Sequence, residues 1–303
     1  MSQVNSIPFT NDSQARWKLA EHINTEIKPP KQLLKWVGNK QRYATQIVSQ
    51  FPHEYNRYIE PFVGSGAILA TVAPKKGIAG DTMSPLIEMW DLLKNDPESI
   101  YKHYEDLWQQ FQQEDRKTVY KKLLDSYNDN PNPLDLVFIT RSCYGGIVRF
   151  TKQGRMSTPL GPHNPISPES FYERMYLWRQ RIQNTDFYNK SFEELIGMAK
   201  ENDVVYCDPP YVDSQSILYG AQAFDIKKMW EEIAKAKKRG AFVAVSIDGK
   251  KKSGNKTIEL DIPEGLFEKE VFIELGSSML RRFQKKDQTM EGEDVHDRLL
   301  ITS

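Results

Sequence analysis

A short apolar segment that ends at a pair of prolines constrains the fold of this chain more than any other feature. Val204-Val205-Tyr206 is β-branched and aromatic and follows a polar turn, which is typical of a buried strand. Pro209 and Pro210 end that strand, since a proline cannot donate a hydrogen bond to a sheet ladder. The sequence therefore predicts a rigid loop that presents the Asp208 carboxylate, the Pro209 carbonyl and the Tyr211 ring.

These three groups suit a planar ligand that carries an amino group, such as a nucleobase. The carboxylate and the carbonyl can accept hydrogen bonds from an exocyclic amino group, and the base can stack on the aromatic ring. An ordinary turn, in which Asp208 caps the next element, explains the same residues about equally well. The loop by itself does not distinguish the two interpretations.

A second predicted strand end carries glycines. Tyr58-Ile59 is typical of a buried strand, and the segment Glu60-Pro61-Phe62-Val63-Gly64-Ser65-Gly66 separates it from a helix-compatible run. Glycines there let the backbone approach a ligand closely at the positive end of a helix. Asp81 ends the next predicted strand, where α/β folds bind a ribose diol. Because no third glycine completes a dinucleotide fingerprint, S-adenosyl-L-methionine fits better than a dinucleotide.

Strands and helices alternate at both ends of the chain, whereas its middle is mostly helical. Apolar residues recur at helical spacing from Ser84 to Asn128, and a further helix is predicted from Pro168 to Gln183. The pattern predicts one α/β, Rossmann-like sheet with helices on both faces and an inserted, mostly helical lobe. We expect a polar extension at 1–30, a sheet domain at 31–90 and 184–303, and the lobe at 91–183.

The distribution of charge is more informative than its sum. The chain carries 41 Lys and Arg and 41 Asp and Glu, and a neutral total argues mildly against a nucleic-acid partner. Between Leu136 and Pro168, however, there is no acidic residue, and the glycine-containing turns there predict an irregular β-hairpin. The arginines of such a hairpin suit guanine or phosphate, although an exposed hairpin without a ligand remains an alternative.

Composition also excludes several classes of protein. No apolar run is long enough to cross a bilayer, and residues 1–10 lack a signal-peptide pattern, so we expect a cytoplasmic protein. Cys143 and Cys207 lie far apart in sequence and have no Cys or His at metal-ligand spacing. We therefore expect free thiols and no metal.

Three motifs follow one another along the chain: Lys35-Trp36-Val37-Gly38-Asn39-Lys40, the glycine-containing segment from Glu60 to Gly66, and Asp208-Pro209-Pro210-Tyr211. Their order and content resemble the Dam-type DNA adenine-N6 methyltransferases. The resemblance implies transfer of a methyl group from S-adenosyl-L-methionine to N6 of an adenine flipped out of duplex DNA. It also implies that the lobe at 91–183 is a target-recognition domain inserted into the catalytic domain.

The resemblance and the basic hairpin together predict the site residues. Catalysis is expected of Asp208, Pro209, Pro210 and Tyr211. The positions expected to bind the cofactor are Trp36, Lys40, Glu60, Phe62, Gly64, Gly66, Asp81, Ser191, Phe192 and Asp208. Those expected to contact DNA are Lys35, Arg141, Tyr144, Gly145, Ile147, Arg149, Lys152 and Pro159. Because Lys35, Ile147, Arg149 and Pro159 match base-reading positions of relatives that recognise GATC, we expect a target with a GAT or ATC element.

Three other functions remain open from the sequence. Cytosine-N4 methylation uses the same geometry, but a serine is commoner at the position of Asp208 in those enzymes. A non-catalytic DNA-binding module would need no cofactor loop, and a Rossmann dehydrogenase would need the absent third glycine. For the preferred function we expect duplex DNA as partner, a restriction endonuclease encoded alongside as a candidate companion, and a monomer.

Overall fold

A computed structural model describes residues 16–18, 30–151, 153–210, 224–248, 261–274 and 296–302. The helices are α1 (Ala44–Val48), α2 (Ala67–Val72), α3 (Ser84–Asn95), α4 (Pro97–Gln113), α5 (Arg116–Asp129), α6 (Pro133–Ser142), α7 (Pro168–Ile182), α8 (Phe192–Gly197) and α9 (Ile226–Lys238). The strands are β1 (Tyr58–Glu60), β2 (Gly77–Gly80), β3 (Thr185–Tyr188), β4 (Val204–Cys207), β5 (Phe242–Asp248), β6 (Lys269–Glu274) and β7 (His296–Ile301). Within these ranges no helix is both long and apolar enough to cross a membrane.

The strands form one sheet in the order β3-β2-β1-β4-β5-β7-β6. The pairs from β3 to β5 are parallel, and β7 runs antiparallel to both β5 and β6. The chain moves outward from β1 through β2 to β3 and then returns to the other side of β1 with β4. A sheet with such a reversal opens a crevice at the carboxyl ends of the two central strands. The predicted α/β sheet is confirmed.

The hydrophobic core has two parts, one on each face of the sheet. Along β4 the side chains alternate, so Val204 and Tyr206 join the core shared with α3 to α7. Val205 and Cys207 join the core shared with α8 and α9 on the opposite face. Helices therefore cover both faces, as an apolar parallel strand such as β4 requires.

The inserted lobe is helical, as predicted, but the long helical pattern is divided into separate helices. Asp96 and Asp115 accept backbone hydrogen bonds from Ser99 and Thr118 and so cap the starts of α4 and α5. The described apolar residues of the lobe share one core with the sheet, in which Trp90 of α3 stacks on Trp178 of α7 at 5.4 Å. The boundaries of 91 and 183 stay a prediction.

Helix α6 occupies the first part of the acid-free stretch. Asn132 caps its start, Pro133 occupies a first-turn position, and the helix continues to Ser142. The hairpin comprises residues 143–160 and is closed by two isolated β-bridges, Cys143 with Leu160 and Phe150 with Met156. We call residues 143–160 the recognition hairpin.

The described part of the N-terminal extension lies against the lobe. Trp17 is buried and its ring contacts Tyr101 and Tyr172 edge-on at 6.5 Å and 5.0 Å. Its indole N–H donates to the Glu98 carboxylate at 2.7 Å, and Arg179 donates to its carbonyl at 2.7 Å. Residues 16–18 thus tie α4 to α7.

Candidate active site

The crevice between β1 and β4 holds a cavity of about 360 Å³. Small-molecule sites commonly measure roughly 300–1,000 Å³. Most of the predicted cofactor and catalytic residues line it, namely Trp36, Lys40, Glu60, Phe62, Gly64, Asp81, Ser191, Phe192, Asp208, Pro209 and Pro210. The predicted Tyr211 falls outside the described residues. Segments that are far apart in sequence thus meet at one edge of the sheet: three of them follow β1, β2 and β4, and the segment with Trp36 and Lys40 precedes the first described strand.

The segment from Glu60 to Gly66, called the glycine loop below, binds the Asp81 carboxylate, which follows β2. Gly64 has φ of +44° and donates its N–H to Oδ2 of Asp81 at 3.3 Å, while Met83 donates its N–H to Oδ1 at 3.2 Å. A Cβ atom on Gly64 would lie 3.2 Å from the Trp36 indole nitrogen. The loop therefore leaves little room between its backbone and Trp36, and it fixes the orientation of a buried carboxylate that faces the cavity.

Gly66 has a different environment from Gly64. It does not line the cavity, and a Cβ atom there would approach the Trp90 ring to 3.0 Å and Trp178 to 3.2 Å. Its φ of +65° places it at the start of α2 in the left-handed region that favours glycine. Gly66 therefore contributes to the shape of the loop by packing on two tryptophans and not by facing the cavity.

Three phenylalanines form an apolar wall of the cavity. Phe62 and Phe192 stack with 5.5 Å between ring centroids and 25° between planes, and Phe224 meets both rings edge-on at 5.8 Å and 5.5 Å. Ser191 starts α8 in a capping box, in which its hydroxyl accepts from the backbone of Glu194 at 3.3 Å. The sequence did not predict Phe224, because nothing in its neighbourhood distinguishes it from a core aromatic.

A buried lysine joins two carboxylates on the opposite wall. Lys40 lies 2.9 Å from Oδ1 of Asp208 and 3.5 Å from Oδ2 of Asp297, and its side chain is 5% exposed. Lys40 and Asp208 were predicted site residues, whereas Asp297 was not. Its sequence neighbourhood gives no signal that its side chain reaches a lysine held by other segments of the chain.

Glu60 is a neutral acid at physiological pH. Burial, with a smaller contribution from the nearby Asp208 carboxylate, raises the pKa of its carboxyl to about 8, although a 2.6 Å hydrogen bond from the Tyr58 hydroxyl opposes the shift. With this pKa the carboxyl retains its proton at pH 7. It therefore adds a hydrogen-bonding group to the cavity but no negative charge.

The recognition hairpin lies next to this cavity. Val148 lines the cavity, and Gly146 packs so closely on Lys35 that a Cβ atom there would lie 2.5 Å from the Lys35 Cβ. Tyr144 is 41% exposed at the tip of a short 3₁₀ turn that also contains Gly145. The predicted DNA-contacting segments, around Lys35 and on the hairpin, are therefore continuous in space.

The other predicted DNA contacts differ in their exposure. Pro159 is exposed, Ile147 and Arg149 are half-buried, and Lys152 falls outside the described residues. Arg141 is buried in α6, where its guanidinium donates to the carbonyls of Gln32 and Leu33. Burial lowers the pKa of Arg141 to about 10, with the nearby Arg174 adding to the effect. Such a location is that of a structural arginine and corrects our expectation that Arg141 contacts DNA.

The sequence profile of the D12 class N6 adenine-specific DNA methyltransferases matches residues 36–274. The chain belongs to this family. It is an adenine-specific DNA methyltransferase, and the methyl donor of its family is S-adenosyl-L-methionine. The matched range contains the glycine loop, the recognition hairpin and Asp208, but neither Trp17 nor Asp297.

Relatives of this methyltransferase carry names of the same kind. The chain is 31% identical over 206 residues to the Type II methyltransferase M.MjaIII of Methanocaldococcus jannaschii, covering 61% of this chain and 70% of that protein. It is 28% identical over 233 residues to a DNA adenine methylase of Vibrio cholerae, covering 73% of this chain and 82% of that protein. It is also 28% identical over 190 residues to the Type II methyltransferase M1.LlaDCHI of Lactococcus lactis, covering 59% and 64%.

The donor set of the methyltransferase cavity fits S-adenosyl-L-methionine. The Asp81 carboxylate suits the two ribose hydroxyls, since an ionised carboxylate only accepts hydrogen bonds. The stacked Phe62 and Phe192 rings offer an apolar face for a purine, and the Asp208 carboxylate, which lines the cavity, suits an amino acid ammonium. No phosphate-binding basic group is needed for such a ligand, which agrees with the incomplete glycine fingerprint.

Helix α5 supports the recognition hairpin of the methyltransferase. The Asn128 side chain both donates to the Met156 carbonyl at 3.0 Å and accepts from its N–H at 2.6 Å. The Tyr120 hydroxyl donates to the Thr158 carbonyl at 2.9 Å, and Arg116 donates to the Gly161 carbonyl at 3.2 Å. One face of a helix thus binds the returning backbone of the hairpin at three successive places.

Proposed function

We propose that this methyltransferase flips an adenine out of duplex DNA into the cavity and methylates its N6 beside Asp208. One observation carries the proposal: Asp208, Asp81 and the Phe62 to Phe192 stack face a single cavity, and Val148 of the recognition hairpin closes the same cavity. The cavity therefore has room for the cofactor and for the adenine amino group, and the recognition hairpin lies at its edge, where a flipped base would enter.

The chemistry follows from the acceptors at the end of β4. The lone pair of an adenine amino group is normally delocalised into the ring. Hydrogen bonds from N6 to the Asp208 carboxylate and the Pro209 carbonyl favour a more tetrahedral nitrogen, whose lone pair is then available for attack. When bound, S-adenosyl-L-methionine supplies a methyl group activated by a positively charged sulfur. Asp208 is placed to accept the proton that the methylated nitrogen releases, and Tyr211 is proposed to stack on the base.

Recognition is proposed to come from the hairpin and the adjoining Lys35. Arg149 supports the proposal by its position: it is half-buried on the hairpin, next to Val148, which lines the cavity. The guanidinium of an arginine suits bidentate contact to a guanine edge. Lys35, Ile147 and Pro159 are proposed to read further base edges of a GAT or ATC element, and the exposed Tyr144 to occupy the gap left by the flipped adenine.

The cellular setting is part of the same proposal. Two of the relatives are named Type II methyltransferases, and such names support a restriction endonuclease of the same target as companion. We propose a monomer that acts on DNA in the cytoplasm.

Sequencing of methylated DNA from cells that express the protein tests the function. The expected result is N6-methyladenine at one position of a short motif that contains GAT or ATC. N4-methylcytosine, or methylation without a motif, would contradict the proposal. Base flipping is tested separately with 2-aminopurine at the target position, whose fluorescence should rise on binding at the target and should not rise when it is moved two base pairs away.

A further inference from the structure

Lys40 is held at the active site by acceptors from three separate elements. Its ammonium contacts Oδ1 of Asp208 at 2.9 Å, Oδ2 of Asp297 at 3.5 Å and the Gly38 carbonyl at 3.4 Å. A lysine side chain is a flexible four-carbon stem that ends in a point charge with three donors, so its acceptors determine where the charge lies. Asp297 therefore helps to position the Lys40 ammonium, which contacts Asp208.

Asp297 reaches this position from the antiparallel strand. It lies in β7, opposite Asp248 of β5 and Ile273 of β6, and it is 8% exposed. A buried carboxylate is expensive unless it is paired, and Lys40 supplies the opposite charge. None of the three family motifs includes Asp297, and the matched family range ends before it.

A carboxylate that accepts from N6 must present the correct oxygen in the correct plane. The contact from Lys40 to Oδ1 restrains rotation of the Asp208 carboxylate about its own stem. Lys40 contacts both Asp208 and Asp297, so a change at Asp297 alters the position of the ammonium that contacts Asp208.

We propose that Asp297 is a positioning residue for methyl transfer: it anchors the Lys40 ammonium and, through Lys40, orients the Asp208 carboxylate that receives N6. The inference rests on the proposed role of Asp208. It adds a residue outside the recognised motifs to the machinery of the reaction.

Replacement of Asp297 by Asn tests the proposal, because the amide keeps the shape and removes the charge. We expect the single-turnover rate of tritiated methyl transfer into unmethylated duplex DNA to fall about 10- to 100-fold, as for a small misplacement of a reacting group. Affinities for S-adenosyl-L-methionine and for DNA should stay within about threefold of wild type, a range too small to account for that loss. Asp297→Glu should recover most of the rate.

The matched control is Glu270→Gln, which removes an exposed carboxylate that pairs with Arg298 on the neighbouring strand and does not line the cavity. It should leave the rate unchanged. A double-mutant cycle adds a readout independent of folding losses: in a Lys40→Gln background, Asp297→Asn should have no further effect. Thermal melting identifies any variant that is unfolded, and the Glu variant and the cycle are then decisive.

The outcomes separate the two proposals. If wild type and Glu270→Gln methylate adenine N6 and Asp297→Asn does so at the same rate, the positioning role is wrong and the proposed function stands. Loss of cofactor affinity in parallel with the rate, or additive losses in the double variant, would also overturn the positioning role. If wild type transfers no methyl group to adenine, the proposed function itself fails.

Discussion

The cavity and the recognition hairpin fix their functional groups by different means. At the cavity, Asp81 and Asp208 follow strands whose backbones are hydrogen-bonded to neighbours on both sides. In the described part of the hairpin two isolated bridges and a hydrogen bond from the Arg149 N–H to the Thr158 hydroxyl join the two arms, and side chains of α5, among them Asn128 and Tyr120, hold the backbone in place. Sheet geometry positions the chemistry, whereas side-chain hydrogen bonds position the recognition element.

The difference suggests which changes each region tolerates. The backbone hydrogen bonds of the parallel sheet fix the strand ends. A substitution of one side chain at the cavity should therefore remove a chemical group without changing the shape of the cavity. The hairpin has few backbone bonds of its own, so a support residue that never touches DNA can matter as much as a contact residue. Variants in the two regions should therefore separate chemistry from recognition.

The largest effect is expected from Asp208→Ala. Removal of a group that stabilises developing charge commonly costs about 100- to 1,000-fold in rate, and here the acceptor for N6 is lost as well. We expect at least that loss in tritiated methyl transfer, with DNA affinity within about threefold of wild type, because the hairpin is untouched. Asp186→Ala, at an exposed carboxylate of β3, is the control. A large loss of DNA affinity in Asp208→Ala would mean that the two regions are not separable.

Glu60→Gln should change the pH dependence of stability. Because the pKa of Glu60 is about 8 in the folded protein and near 4.5 when exposed, the folded state keeps a proton that the unfolded state releases between these values. The free energy of unfolding of wild type should therefore fall as pH rises through that window, by on the order of a few kcal/mol from this group. Urea unfolding at pH 5 and pH 9 measures the change.

The Gln variant should lack the part of the slope that Glu60 supplies and should gain stability relative to wild type at pH 9. Glu114→Gln, at an exposed glutamate of the lobe, provides the comparison and should keep the slope of wild type. Equal slopes in wild type and Glu60→Gln would show that Glu60 already ionises in its usual range.

Asn128→Ala should weaken recognition without touching the cavity. It removes both side-chain hydrogen bonds to Met156, a loss of about 1–3 kcal/mol for buried groups left unpaired. We expect a lower affinity for the target duplex and a lower ratio of target to scrambled affinity, measured by fluorescence anisotropy, with the affinity for S-adenosyl-L-methionine unchanged. Asn130→Ala, at an exposed position of the same turn, should behave as wild type.

The most selective effect is expected from Arg149→Ala. If Arg149 reads a base, its removal should lower target affinity by about 1–3 kcal/mol and leave scrambled DNA nearly unaffected. Arg155→Ala, in the exposed turn of the hairpin, should weaken both duplexes alike if it contacts phosphate. An equal loss on both duplexes for Arg149→Ala would make it a phosphate contact.

The sequence predicted those parts of the site that lie directly after a strand. Gly64, Asp81 and Asp208 are found this way, because each follows a short apolar run that can only be a buried strand in this context. Arg141 was expected to contact DNA because it lies in the basic, acid-free stretch, and that stretch gives no local signal that α6 continues to Ser142 and buries it. Phe224 and Asp297 were missed since only the folded chain brings Phe224 to the cavity and Asp297 to Lys40.

The place of β7 in the sheet has a consequence for protein synthesis. Of the described strands it is the last to be made, yet it inserts between β5 and β6 and carries Asp297 to Lys40. At about 5–20 residues per second, a ribosome needs roughly 4–18 s to travel from Asp208 to Asp297. A nascent chain therefore exposes its glycine loop and Asp208 for seconds before the charge cluster can be completed. Methylation competence should arise at a late and discrete point of translation.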